Sequence, residues 1–299
     1  MKALAQVAMK GRWQAMFLTI AGASSALFCW ISGAIIALTT LQQGVRWGGY
    51  LLFWALLPSG LVLYVYGDPG PVILLVSAWV MAAALRVTGS LSLMLLTSVA
   101  VGLLSGLVLL VLGDAYLERL VALFDSFLTN LEQSLQGGQN LALERPGTTQ
   151  IAGVLAVSNA VLASVSTLLG AYWQSALFRP GLFGREYRRA VLPAGVAVGL
   201  LLVALGMYAL APELRSWAAV LLVPLVFTGL GLVHAQGRSK QRGTGFFVAF
   251  YVLWAIFDLV KIAVVLLAVV DSVMGLRHKY LAEKTQDTDD DPPSSDKTI

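Results

Sequence analysis

The sequence predicts an all-α fold, a polytopic transmembrane helical bundle of about eight or nine membrane helices with one amphipathic interfacial helix. Three observations carry that prediction. Of the 299 residues, 58% are hydrophobic and only 12% are charged, with a mean hydropathy of +0.79. A soluble domain carries about 25% charged residues, so this chain has too little polar surface to coat a soluble globule. Second, apolar runs long enough for the hydrocarbon core, at roughly 20 residues each, follow one another almost from end to end. Third, the basic residues gather in short loops between those runs, as cytoplasmic loops beside anionic lipid do.

The first apolar run follows Lys2, Lys10 and Arg12. That order resembles a signal peptide, but further spans follow, so a retained first helix is expected. Trp13–Leu41 reads either as one long tilted helix or as two short helices folded back near Trp30-Ile31-Ser32-Gly33. Loop charge decides between them. With two crossings, Arg46, Arg86, Arg179, Arg185, Arg188, Arg189, Arg238, Lys240 and Arg242 all join the N-terminus in the cytoplasm, so the hairpin is preferred. The spans expected next are Gly48–Tyr66, the shorter Pro71–Arg86, Ser90–Leu112, Ile151–Leu177, Val191–Ala211, Trp217–His234 and Gly245–Leu276. Gly67-Asp68-Pro69-Gly70-Pro71 separates two of them as a strong turn. Pro58 and Pro224 fall inside spans and predict kinks rather than breaks.

The segment Asp114–Leu135 differs in kind. Leu117, Leu120, Val121, Phe124, Leu128, Leu131 and Leu135 recur at helical spacing, and Asp114, Glu118, Asp125 and Glu132 lie among them. This predicts an amphipathic helix at an interface, on the outer side because its polar face is acidic. It reads as a cap on the bundle or as a lid over a pocket. A loop is expected over 136–149. The membrane domain is placed at 1–282, and 283–299 reads as a disordered acidic tail holding Asp287, Asp289, Asp290 and Asp291.

No enzyme motif is present: there is no His-Glu-x-x-His, no P-loop and no metal-spaced cluster. Neither an enzymatic activity nor a cofactor or metal is expected, and no surface resembles a nucleic-acid interface. Cys29, the only cysteine, reads as a small buried hydrophobe. His234, at the end of its span, reads as an interfacial histidine or a proton-handling one.

Two sets of residues remain as candidates. Small residues at packing distance, Gly102 with Gly106 and Gly195 with Gly199 and Gly206, predict close helix contacts, because backbone approach drives association in lipid. A polar stripe, Asn159, Ser166 and Gln174, cannot face lipid comfortably. It hydrogen-bonds neighbouring helices or lines a wet pocket. Asp258 and Lys261 sit mid-run in Gly245–Leu276, three residues apart. Charges at membrane depth mark function and need a partner, and here each offers itself to the other.

Several short segments resemble the YybS-like family of uncharacterised bacterial membrane proteins. They are Leu38-Thr39-Thr40-Leu41-Gln42-Gln43-Gly44, the basic loop Phe183–Pro193, Gly229–Ala235, and the ending Val270-Asp271-Ser272-Val273-Met274-Gly275-Leu276-Arg277. The family ending has Trp and a second Asp where this chain has Val273 and Gly275. The resemblance implies a bacterial inner-membrane protein with a distant similarity to substrate-binding S components of energy-coupling-factor transporters. No soluble nucleotide-binding domain is read in the sequence, so driven transport is expected to need a partner coupling protein or ATPase, or an ion gradient. Those components carry an Ala-x-x-x-Ala docking face, where this chain has only Gly11-x-x-x-Ala15 and Gly22-x-x-x-Ala26. Two functions are therefore expected: binding or transport of a small molecule in a pocket of the bundle, or a non-transporting scaffold for envelope or biogenesis partners.

Overall fold

The computed structural model describes residues 2–135, 144–277 and 280. Most of the expected 136–149 loop and the whole 283–299 tail lie outside the described residues. The chain is all-α, with no strand among the described residues. Its helices are α1 (Lys2–Met9), α2 (Arg12–Ala23), α3 (Cys29–Gln43), α4 (Val45–Tyr66), α5 (Gly70–Thr88), α6 (Leu91–Leu112) and α7 (Asp114–Leu135). There follow α8 (Thr148–Phe178), α9 (Leu182–Arg189), α10 (Ala194–Leu210), α11 (Arg215–Ser239), α12 (Thr244–Ile256) and α13 (Asp258–Met274).

Five helices, α4, α5, α6, α8 and the one ending at Ser239, are long and apolar enough to cross a membrane, or up to seven spans if two bent pairs each count as one. This corrects the expectation of eight or nine, for three local reasons. The run Trp13–Leu41 does divide, but at residues 24–28 rather than near Trp30–Gly33, leaving α2 with 12 residues and α3 with 15. Neither reaches the length of a span. Secondly, α10 has 17 residues and qualifies only with α9, from which it is bent by 68°. Thirdly, Gly245–Leu276 is not one helix: Phe257 is extended, and α12 and α13 meet at 110°.

The turns follow from residue chemistry. α4 ends at Gly67 (φ 67°), whose N–H donates to Leu63 O at 2.8 Å. α5 ends the same way at Gly89 (φ 65°). Both glycines adopt the left-handed conformation that closes a helix without a Cβ penalty. Both internal prolines are carried: α4 runs through Pro58 and α11 through Pro224.

Two compact units emerge, one of Met1–Phe183 with Leu200–Pro224 and the other of Gly184–Gly199 with Leu225–Ile299. In the first, α8 is the hub, packed on α3, α5 and α6. Small residues allow this. A Cβ on Gly170 would lie 2.7 Å from the Ala37 Cβ and 2.8 Å from Ala34 O, so α3 crosses α8 almost backbone to backbone. A Cβ on Gly102 would lie 2.9 Å from the Ala160 Cβ, and one on Gly106 2.9 Å from the Ala156 Cβ and 2.5 Å from the Trp217 ring. By contrast, a Cβ on Gly195, Gly199 or Gly206 meets nothing within 4 Å. The close contact expected on that face is absent among the described residues, because no neighbouring backbone reaches it.

The two ends of the first unit differ in charge. Arg46 opens α4, Arg86 closes α5 and Arg179 caps α8. Arg86 Nη1 donates to Leu41 O, the end of α3, at 2.6 Å. The α4–α5 turn holds Asp68, and acidic α7 follows α6.

Candidate functional site

The polar stripe of α8 divides. Ser166 is fully buried, and its hydroxyl donates to Trp30 O at 2.9 Å. Gln174 Nε2 donates to Leu41 O at 3.0 Å and to Gln42 Oε1 at 3.2 Å. Both residues therefore tie α8 to α3, which is the structural alternative read from the sequence. Asn159 is different. Its Nδ2 donates to Ser77 Oγ at 2.9 Å, but its Oδ1 is buried without a hydrogen-bond partner. A buried amide oxygen left unpaired costs about 1–3 kcal/mol.

That oxygen belongs to a residue lining a cavity of about 190 Å³. The walls are apolar, from Ile73, Leu74, Leu109, Leu155 and Leu162. Cys29, Asp68, Ser105, Tyr116 and Ser158 add polar groups. The α4–α5 turn aims Asp68. Its Oδ1 accepts from Gly70 N at 2.9 Å, which fixes the carboxylate within the turn. Tyr116, on α7, donates to the same carboxylate, and burial with this negative neighbour pushes the phenol up to about 12.

α7 is held at this end of the unit by side chains at both of its own ends. Arg119 Nη1 donates to Tyr66 O at 2.8 Å. Arg145, just before α8, pairs with Asp125 at 2.6 Å and Glu132 at 3.0 Å. Among the described side chains of α7 only Leu117 is buried; Leu123, Phe124, Phe127 and Leu131 are exposed. The helix thus braces the cavity end while leaving an apolar face open.

In the second unit, Lys261 Nζ and Asp258 Oδ1 are 2.7 Å apart. The pair does not point into a packed interior: the side chains are 40% and 87% exposed. The break at Phe257 explains this, since it makes Asp258 the first residue of α13 rather than a mid-helix residue. A carboxylate there also meets the positive end of the helix dipole.

The buried charge pair is another one. Asp271 and Arg277 are 0% and 2% exposed, and their side chains meet at 2.6 Å. Gly275, at φ 65°, turns the chain back so that Arg277 N also donates to Asp271 Oδ1 at 2.7 Å. The guanidinium then donates to Thr228 O and Arg188 O at 3.2 Å each, and to Ala190 O. One side chain thereby fastens the end of α13 to α11 and to the segment after α9. Nearby, Tyr187 OH donates to Phe227 O at 2.9 Å. The sequence signal was an acid in the last turn of an apolar helix, followed by Gly and Arg. It lay inside the ending Val270–Arg277.

Comparison with protein families, with curated proteins and with solved structures finds no match.

Proposed function

We propose that this chain is a multi-pass protein of the bacterial inner membrane that binds a small molecule in the Asn159 cavity. The observation that carries the proposal is the unpaired Asn159 Oδ1 in a residue that lines an apolar cavity. A bound donor would satisfy it. Asp68 adds a second acceptor, so the favoured ligand has an apolar body and N–H or O–H donors, as a small amine does. The volume of about 190 Å³ suits a molecule a little larger than benzene, which a cavity of roughly 150 Å³ accommodates.

The loop charges support an outer-side position for the cavity. With the arginine end of the first unit and the N-terminus in the cytoplasm, the Asp68 turn and α7 face outward. The exposed apolar face of α7 then rests in the lipid interface, and its hold on Asp68 and Tyr66 makes it a lid. Passage across the membrane would need a partner coupling protein or ATPase, in keeping with the YybS-like resemblance and the likeness to S components. The scaffold reading draws on the filled packing at Ser166 and Gln174, but leaves the Asn159 oxygen unexplained.

The test is thermal shift of the detergent-purified protein against small primary amines with apolar bodies. Stabilisation of wild type that disappears in both Asn159→Leu and Asp68→Asn is the expected result. Amines that shift neither wild type nor variants, or shift all three alike, overturn the reading.

A further inference from the structure

A second cavity, of about 510 Å³, lies within the second unit, away from any residue discussed for the amine site. Its charged lining is all basic: Arg188 comes from α9, and Arg238 and Arg242 from the end of α11 and the loop after it. No carboxylate lines it, and no ion pair is formed by these three arginines among the described residues. Like charges drawn together around a hollow repel unless an anion joins them. The natural complement is an oxyanion that accepts forked guanidinium donors.

The backbone is shaped to hold this arrangement. Gln241 is the one non-glycine residue with positive φ, at 49°, among the described residues. Such a conformation is unfavourable for a residue that carries a side chain. Arg242 N closes the turn by donating to Gly237 O at 2.8 Å. The strained turn keeps Gln241 and Arg242 beside the cavity. On the other wall His234 stacks on Phe247, with ring centroids 4.7 Å apart, and bonds to Tyr251 OH at 2.8 Å. Gly237 makes room for that stack, because a Cβ there would lie 2.5 Å from the Phe247 ring.

We infer that this cavity is a phosphate site, taking a phosphomonoester or phosphodiester group between Arg188, Arg238 and Arg242. The group belongs either to an anionic lipid headgroup or to a soluble phosphate, and one experiment with two arms separates them. In the first arm, full-length protein in nonionic detergent is melted against inorganic phosphate at constant ionic strength, with chloride as the control. In the second, the protein is taken from phosphatidylcholine nanodiscs with and without phosphatidylglycerol, and retained lipid is counted by native mass spectrometry.

A dose-dependent rise in melting temperature assigns a soluble phosphate. Retention of one phosphatidylglycerol without that rise assigns the headgroup. In either case Arg238→Gln and Arg242→Gln, which should melt like wild type without ligand, weaken the apparent Kd by about tenfold each. Silence in both arms overturns the site, as does binding that survives both substitutions. Binding seen only after Asp287, Asp289, Asp290 and Asp291 are changed to Asn also overturns it, because the arginines would then serve the chain's own carboxylates. Every readout is independent of amine binding at Asn159.

Discussion

Replacing Arg277 by Met removes an ion pair at 2.6 Å together with its three carbonyl bonds, and strands Asp271 in a fully buried setting. The carboxylate would keep only the backbone N–H of residue 277, at 2.7 Å. Breaking a buried pair from one side costs about 3–5 kcal/mol, a large part of the roughly 5–15 kcal/mol that holds a domain folded. Removing both charges is gentler, because no uncompensated ion remains. Asp271→Leu with Arg277→Met should therefore lose only about 1–3 kcal/mol, for the carbonyls of Arg188 and Ala190 left without a donor. Arg277→Lys should fall between, since an ammonium keeps the charge but cannot reach several carbonyls in a fork. The assay is equilibrium unfolding in mixed micelles. If Arg277→Met unfolds at the wild-type midpoint, or the double variant is worse than either single one, the clasp does not hold the second unit together.

Further outcomes follow from the same geometry. Gly106→Leu should destabilise the protein by several kcal/mol, since its side chain would meet Trp217 and Ala156, whereas Gly199→Leu should melt like wild type. Equal melting of the two would refute the packing. Asp258→Asn with Lys261→Gln should shift stability by under about 1 kcal/mol, as an open i,i+3 pair does, and a larger loss in the same unfolding assay would place that pair in a closed environment. The Tyr116 phenol is held protonated in the folded state, so its contribution is complete below pH 10 and is lost as pH rises towards about 12. Tyr116→Phe should flatten that part of the stability curve; an unchanged slope would mean that the phenol does not face Asp68. Arg145→Gln should speed hydrogen exchange in α7 without altering α8, and equal exchange would show that the Asp125 and Glu132 pairs do not brace the helix.

What could be read from sequence was whatever a local pattern dictates. The apolar period of Leu117 to Leu131 predicts α7, the Gly67–Pro71 cluster predicts the α4–α5 turn, and Gly102 with Gly106 marks the α6–α8 approach. Asn159 stood out because an amide in an apolar run needs a partner. The misses are equally physical. Hydropathy does not see a break between two apolar residues, so Ile256-Phe257 passed as mid-helix and Asp258 was placed too deep. Spacing of small residues does not say whether a neighbour is there, which is why Gly199 resembled Gly102. The partners of Arg277 lie 49 and 87 to 89 positions away, beyond any window of local reading.

The position of Arg277, after all of its partners in the chain, sets an order of assembly. Helices leave the ribosome from the N-terminus onward, so the carbonyls of Arg188, Ala190 and Thr228 are in place before their donor is made. The first unit can close while synthesis continues, since its α3, α6 and α8 contacts need nothing beyond Pro224. The second cannot lock until Arg277 itself has been made. A nascent chain interrupted before Arg277 would thus carry one closed unit and one without its clasp. The clasp therefore closes the second unit only after all of its partner carbonyls have been made.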